Sequence, residues 1–209
     1  MLGPEDIAAT IADSVEALPK GQGRRLIAVA GPPASGKTTV AAVLRDTLNA
    51  RGVATGLVAM DGFHLDNSIL DARGLRSRKG APETFDLAGF AALMRRLQNE
   101  GEVIAPAFDR ERDVSVGSCT VVSEDMKTVV VEGNYLLLDE PGWRDLKELW
   151  TFSAFLGPDT EVLEQRLMER WLSYGFDEQS AREKAEKNDL PNALRIVRNS
   201  LAADIAPAL

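Results

Sequence analysis

The sequence is poor in cysteine, in histidine and in long apolar runs. Its 209 residues include a single cysteine, Cys119, so an intramolecular disulfide is excluded and a reducing compartment is favoured. No apolar run approaches the roughly 20 residues of a membrane helix, and the first residues lack the basic-then-apolar pattern of a signal peptide. The 32 acidic residues outnumber the 24 basic ones, which argues against nucleic acid or anionic lipid as a partner. We expect a soluble, cytoplasmic protein.

Short apolar runs alternate with amphipathic stretches, the pattern of a mainly parallel sheet covered by helices. The length suits one α/β domain over residues 1–209, with about five strands. We predict strands at residues 25–30, 55–60, 127–131 and 150–156, a small hairpin within 114–122, and an edge strand or frayed end at 203–209. We predict helices at residues 4–18, 37–50, 67–72, 86–99, 159–172, 178–187 and 190–200.

A glycine-containing loop follows the first predicted strand. Residues 31–38 read Gly-Pro-Pro-Ala-Ser-Gly-Lys-Thr, which fits G-x-x-x-x-G-K-[ST] between a buried strand and a helix. In this motif the backbone N–H groups surround phosphate oxygens at a helix N-terminus, the lysine reaches the β- and γ-phosphates, and the hydroxyl binds Mg²⁺. The motif therefore predicts a P-loop NTPase fold that binds a nucleotide. The predicted nucleotide-binding residues are Gly31, Pro33, Ala34, Ser35, Gly36, Lys37, Thr38 and Thr39.

A second carboxylate distinguishes the classes of P-loop protein, and the chain offers two. Glu132 ends a run of β-branched residues, which favours a strand that delivers the acid to the edge of the sheet. Asp139 and Glu140 follow Leu-Leu-Leu and resemble the second nucleotide motif of transporter-type ATPases, but neither the signature loop of those proteins nor their later histidine is found. No Asn-Lys-x-Asp guanine motif is found either. We choose Glu132 and assign Asp139 and Glu140 to a surface turn.

Asp61 directly follows the second predicted strand. Because ligands of open parallel sheets bind outside the carboxyl ends of the strands, Asp61 is expected to face the crevice of the phosphate loop. A carboxylate there can accept the proton of a substrate hydroxyl held in line with the γ-phosphate. A helix-capping or turn aspartate is the alternative.

Arg166 and Arg170 are one turn apart on a predicted helix. Like charges on one helix face are unfavourable unless an anion lies between them, and forked guanidinium groups suit a triphosphate. A solvated helix face, with Glu169 paired to Arg166, is the alternative. The apolar positions Leu163, Leu167 and Trp171 are assigned to the core.

Several motifs together resemble the P-loop small-molecule kinases that group uridine kinase, phosphoribulokinase and bacterial pantothenate kinase. The resemblance runs from about residue 26 to residue 200. It is carried by the phosphate loop, Met-Asp-Gly-Phe at 60–63, Arg-Gly-Leu at 73–75, Lys-Gly-Ala-Pro-Glu-Thr-Phe-Asp at 79–86, Ala-Pro at 105–106, Val-Val-Glu-Gly at 130–133 and Asn-Asp-Leu-Pro-Asn-Ala at 188–193. Within this group the chain is most similar to proteins described as nucleoside/nucleotide kinase-like or fructose transport system kinases.

The resemblance implies a role for each matching position. Asp61 matches the catalytic aspartate, and Arg166 and Arg170 fall in a helical lid over residues 166–192. ATP would be the co-substrate and Mg²⁺ the cofactor. The implied catalytic residues are Asp61, Lys37, Arg166 and Arg170, and the implied metal-binding residues are Thr38, Asp61 and Glu132.

The residues that would contact the phosphoryl acceptor depart from the family pattern. Uridine kinases carry an acid at the position of Gly80, and pantothenate kinase has an aromatic residue and a histidine at Phe108 and Arg110. Arg110 suits an acceptor with a carboxylate or phosphate and Asp109 suits sugar hydroxyls, although both also fit surface charge pairs. The predicted acceptor contacts are Asp61, His64, Arg78, Phe108, Asp109, Arg110, Asn134 and Tyr135.

These residues predict an ATP- and magnesium-dependent kinase that phosphorylates a hydroxyl of a small metabolite. A sugar is favoured by the branch resemblance, ahead of a pantothenate-like acid or a nucleoside. The alternative is a nucleotide-binding switch or ATPase module without an acceptor. The oligomeric state is open, with a homodimer as one option.

Overall fold

A computed structural model of the chain describes residues 2–19, 21 and 23–207. The strands are β1 (Arg25–Ala30), β2 (Thr55–Ala59), β3 (Val103–Asp109), β4 (Val114–Val122), β5 (Thr128–Gly133) and β6 (Phe152–Phe155). The helices are α1 (Pro4–Ala17), α2 (Lys37–Ala50), α3 (Asn67–Ala72), α4 (Leu87–Asn99), α5 (Thr160–Ser173), α6 (Glu178–Lys184) and α7 (Leu190–Arg198). None of the helices in the described ranges is long and apolar enough to cross a membrane.

Four strands form a parallel sheet in the order β2-β5-β1-β6. Successive residues of β1 alternate between its two faces, as strand geometry requires. Ile27 and Val29 pack against α1 and α2 in one apolar cluster, whereas Leu26 and Ala28 pack on the other side with α4 and α7. Helices on both faces of a parallel sheet confirm the predicted α/β class.

The expectation of about five strands is corrected to four in this sheet. Beyond β6, Ile205 adds only an isolated parallel bridge to Ala154, and the last two residues of the predicted tail segment lie outside the described part of the chain.

The predicted hairpin within residues 114–122 is wrong. β4 is one strand that pairs antiparallel with β3, which the sequence analysis missed. The register shifts between Ala105 and Ala107, opposite the Gly-Ser pair read as a turn, and Ser118 has φ 58°. Glycine and a left-handed residue inside a strand mark a bulge as well as a turn.

Most helix boundaries agree with the predicted ones within two residues. Asp86 is the N-cap of α4 because its side chain accepts a hydrogen bond from the Gly89 amide at 2.9 Å. The predicted helix 178–187 is shorter than expected: α6 ends at Lys184, and a π-helical turn, Ala185–Asp189, leads into α7.

Arg24, just before β1, binds the last turn of α4 and the two loops that follow α4 and β4. Its guanidinium donates to five carbonyl oxygens, at 2.5–3.2 Å, and the residue is 8% exposed. The acceptors are the backbone oxygens of Leu97, Glu100, Gly101, Ser123 and Met126. The guanidinium therefore supplies hydrogen-bond donors to backbone carbonyl groups at the ends of both α4 and β4.

We predict that Arg24→Met lowers the free energy of unfolding by about 2–4 kcal/mol, because buried carbonyls lose their donors. Urea unfolding measures the change. Arg96→Met is the control, since Arg96 forms an exposed pair with Glu100 on α4, and we expect it to cost under about 0.5 kcal/mol. Equal losses in the two variants would contradict the assigned role.

Candidate active site

Three neighbouring strand ends form the base of the site. The register aligns Ala59 of β2, Glu132 of β5 and Val29 of β1 in one row across the sheet. Asp61 lies two residues after Ala59. The phosphate loop begins at Gly31, two residues after Val29. Parallel pairing brings the two predicted carboxylates and the loop to the same edge.

The phosphate loop has the conformation that its glycines allow. Gly36 has φ 87° and Ala34 has φ 62°, so the backbone reverses twice within the loop. A Cβ at Gly31 would overlap the carbonyl oxygen of Leu156. Gly36 gives α2 no side-chain cap, so the first N–H groups of the helix are available to an anion.

A half-buried lysine and a buried glutamate lie at the phosphate loop. Thr38 Oγ1 donates to Glu132 Oε2 at 3.2 Å, and Glu132 is 4% exposed. Burial lowers the pKa of the Lys37 ammonium and raises the pKa of the Glu132 carboxyl, and each charge opposes the shift of the other. Lys37 Nζ otherwise approaches only the Pro32 carbonyl, at 3.5 Å, among the described residues. Its charge thus lacks a close partner until phosphate oxygens arrive.

The donors at this point fit magnesium. Within the described residues, no group of three or more His, Cys, Asp or Glu side chains could hold a metal. Mg²⁺ in nucleotide sites takes one or two protein oxygens and completes its shell with waters and phosphates. The Thr38 hydroxyl and the Glu132 carboxylate are hard oxygen donors already within hydrogen-bond distance of each other, and Asp61 lines the same cavity.

Asp61 lies on a short 3-10 turn, Met60–Phe63, that packs tightly on β3. A methyl group at Gly62 would lie 2.6 Å from the carbonyl oxygen of Pro106, so no side chain fits there. Asp61, Lys37 and Thr38 line one cavity of about 1320 Å³. This close packing holds the carboxylate opposite the phosphate loop.

Aromatic rings form the floor next to Asp61. The His64 ring lies between Phe85 and Phe108, with centroids 4.1 and 4.6 Å away. His64 Nδ1 donates to the carbonyl oxygen of Asp61 at 2.8 Å. Burial is the main cause that lowers the pKa of His64, although the Asp61 charge opposes it.

Two cations lie at this end of the cavity. Arg110 Nη2 is 2.7 Å from Asp61 Oδ2. Lys79 Nζ lies 5.1 Å from the Phe108 ring centroid and 2.9 Å from Asp113 Oδ2. Lys79 was not among the predicted contacts, although four basic residues lie close together in this part of the sequence: Arg73, Arg76, Arg78 and Lys79.

Three of the predicted acceptor residues do not line the cavity. Arg78 pairs with Glu83 at 3.3 Å, and Asp109 pairs with Arg112 at 2.7 Å. Tyr135 is fully buried and donates its hydroxyl to the carbonyl oxygen of Gly80 at 2.5 Å. Asn134 does line the cavity, and its Oδ1 is buried without a partner among the described residues.

The two lid arginines approach the phosphate loop from α5. Arg166 Nη1 is 3.5 Å from the carbonyl oxygen of Ala34. Arg170 lines the cavity, and its buried Nε has no hydrogen-bond partner among the described residues. The arrangement leaves guanidinium donors available to phosphate oxygens.

Aromatic residues support the lid and were missed as site residues. Trp171, assigned to the core from the sequence, instead lines the cavity and donates its Nε1 to Asp189 Oδ2 at 2.7 Å. Tyr174 and Phe176 line the same wall. Burial raises the pKa of Asp189, against the nearby charges of Arg170 and Lys184. Helical periodicity cannot separate a cavity wall from a core.

Asp139 and Glu140 lie away from this cavity, in the predicted surface turn. Asp139 Oδ1 is 3.1 Å from Arg144, and Glu140 is paired with Arg195 at 2.5 Å. Of the two candidate acids, Glu132 is thus the one beside the phosphate loop.

Comparison with known proteins assigns the chain to a family. Residues 26–202 match the model of the Phosphoribulokinase / Uridine kinase family. The chain belongs to this family. Its members are kinases of small molecules, so the predicted recognition and the predicted enzyme class are confirmed at that level.

Individual relatives differ in the acceptors that their names imply. The crystal structure of a "putative fructose transport system kinase" from Silicibacter sp. TM1040 is 44% identical, covers 97% of this chain and 98% of its own, and superposes with a TM-score of 0.93. The "Putative uridine kinase C227.14" of Schizosaccharomyces pombe is 34% identical over 89% of this chain and 83% of its own length. A pantothenate kinase of Leifsonia xyli subsp. xyli is 31% identical over 71% of this chain and 48% of its own length.

We predict that Gly62→Ala lowers kcat roughly 100-fold in an ADP-release assay, because the new methyl group displaces the turn that carries Asp61. ATP affinity, measured by calorimetry, is expected to stay within about threefold, since the phosphate loop is untouched. The control is Gly117→Ala on β4, where a Cβ has nothing within 4 Å. Similar activities of the two variants would argue against close packing as the cause.

We also predict that His64 makes stability fall as the pH drops. The pKa of His64 in the folded state lies below 6.5. Near that pH the His64 ring is therefore more fully protonated in the unfolded chain than in the folded protein, which favours unfolding. His64→Asn keeps a donor for the Asp61 carbonyl but does not titrate. Urea unfolding at about pH 7.5, 6.5 and 5.5 should show the wild type losing stability faster than the variant towards acid.

Because His64 is the only histidine in the chain, carboxylate titrations common to both proteins cancel in this difference. A difference in unfolding free energy that stays constant across the three pH values would show that the His64 pKa is unshifted.

Proposed function

We propose that the protein transfers the γ-phosphoryl group of ATP to a hydroxyl of a small sugar-like metabolite. The carrying observation is that Asp61 and the phosphate-loop residues Lys37 and Thr38 line one cavity. A carboxylate across a cavity from a bound triphosphate is suited to take the proton of an attacking hydroxyl. The acceptor oxygen then bonds to the γ-phosphorus, and the bond to the bridging oxygen breaks so that ADP leaves with its electron pair.

Catalysis by these residues is chiefly positioning and charge neutralisation. Lys37 and the N-terminus of α2 bind the β- and γ-phosphates, and Arg166 and Arg170 approach them from the lid. Thr38, Glu132 and Asp61 would hold magnesium, which neutralises phosphate charge when bound. Closure of the lid over the cavity excludes water, so that the hydroxyl and not water is phosphorylated.

The preference for a sugar-like acceptor rests on likeness to the Silicibacter protein, whose name refers to fructose transport. Two features of the cavity support a polar acceptor over a nucleoside. Gly80 offers no acid for ribose hydroxyls, and charged groups (Lys79, Arg110) surround the floor formed by Phe108.

We predict that Asp61→Asn lowers the rate of phosphoryl transfer roughly 1,000-fold, because the amide cannot accept the hydroxyl proton. ATP affinity should change less than about threefold. The measurement is coupled ADP release in a screen of sugars, hydroxy acids and nucleosides, with product phosphate detected by NMR. Asp46→Asn, at an exposed ion pair on α2, is the control and should retain full activity.

A second outcome would favour the switch or ATPase alternative. If ATP is converted to ADP only by water and no metabolite in the screen accelerates it, the kinase proposal fails. If Asp61→Asn and Asp46→Asn are equally active with an accepted metabolite, the assignment of Asp61 as the base fails.

A further inference from the structure

The acceptor end holds one ion pair that involves the proposed base itself. Arg110 Nη2 contacts Asp61 Oδ2 at 2.7 Å, and this is the only hydrogen bond of the Arg110 side chain among the described residues. Since a guanidinium has five N–H donors, most of its donors are unused. The Arg110 side chain is 59% exposed and lines the cavity.

Two other cations near Arg110 already have carboxylate partners. Arg112 donates to Asp109 at 2.7 Å from both its side chain and, at 2.9 Å, its backbone amide. Lys79 is held by Asp113 and by Asn67 Oδ1 at 2.7 Å. Arg110 thus differs from these residues because its partner is the catalytic carboxylate and not a structural one.

This pair involves the same carboxylate that is proposed to receive the acceptor hydroxyl. Arg110 Nη2 uses one of the hydrogen-bond acceptor positions of Asp61 Oδ2. A neutral acceptor offers Arg110 no substitute for Asp61. An acceptor with its own anionic group offers a charge-assisted, forked partner, which leaves Asp61 free to receive the hydroxyl proton.

We infer that the acceptor carries a carboxylate or phosphate group beside its reactive hydroxyl. When this group binds, Arg110 gives up its hydrogen bond to Asp61 and donates to the group instead. The inference rests on the proposed function and narrows its substrate to a sugar acid, hydroxy acid or sugar phosphate. Arg110 is then a residue that determines specificity and couples acceptor binding to release of the base. Lys79 lies beside the Phe108 ring at the same end of the cavity, where Asp113 pairs with it.

The test compares matched charged and neutral acceptors on the full chain with Mg·ATP. The pairs are gluconate and sorbitol, pantothenate and pantothenyl alcohol, and glucose 6-phosphate and glucose. We expect kcat/KM for at least one charged member to exceed that of its neutral partner by roughly 100-fold. The carboxylate and phosphate pairs separate the two sources of negative charge.

Arg110→Gln should lower kcat/KM for that charged member by roughly 100-fold and leave the neutral member unchanged or faster, since Asp61 is no longer paired. Arg110→Lys should recover part of the loss by retaining the charge without the fork. Arg112→Gln is the matched control, because Arg112 is an equally exposed arginine (66%) paired with an aspartate on the same turn, and it should stay within about twofold.

The outcomes separate the inference from the proposed function. Equal turnover of charged and neutral members by the wild type, or an equal loss on both in Arg110→Gln, overturns the inference and leaves the kinase in place. If no member of any pair accelerates ADP release above the rate with water, the proposed function is overturned, and the inference with it.

Discussion

The site depends on the parallel register of β2, β5 and β1. Arg25 and Thr55 pair with the same residue of β5, Thr128, so the three strands start level and end level. A slip of one residue in either pairing would send every side chain of the moved strand to the opposite face of the sheet. It would also shift Asp61 or the phosphate loop relative to Glu132. The two apolar clusters that hold the register therefore position the proposed catalytic groups as well.

The strand edge brings charged groups together at the cavity. Glu132 is buried and Lys37 is half-buried, and a charge removed from water is costly unless it has a close partner. In the proposed function, bound phosphates and magnesium would supply those partners. Groups fixed in place before the ligand binds stabilise developing charge better than water does. Arg170 Nε, which has no hydrogen-bond partner among the described residues, fits the same interpretation.

How much the sequence could predict varies across the molecule. The phosphate loop, α2 and Glu132 follow from local patterns: a strand, glycines at two positions and a valine run. The acceptor end does not, because Arg110 and Asp61 are 49 residues apart in sequence and meet where β3, which leads into Arg110, packs on the turn that carries Asp61. The β3–β4 pairing was missed because Pro106 and the bulge at Gly117 and Ser118 read as breaks. Tertiary contacts, which local sequence patterns do not show, decide whether such irregular segments form strands.

The lid and the acceptor end are mechanically joined at one residue. The π-helical turn, Ala185–Asp189, sends consecutive side chains to different places: Asn188 donates to the Lys79 carbonyl at 2.9 Å, whereas Asp189 accepts from Trp171. Adjacent residues of a helix point in different directions, and π-turns occur frequently at functional sites. A movement of α5 with the phosphates would therefore pull on Lys79, and an acceptor that draws on Lys79 and Arg110 would act back on the lid. Closure over the triphosphate and capture of the acceptor are thus expected to favour each other.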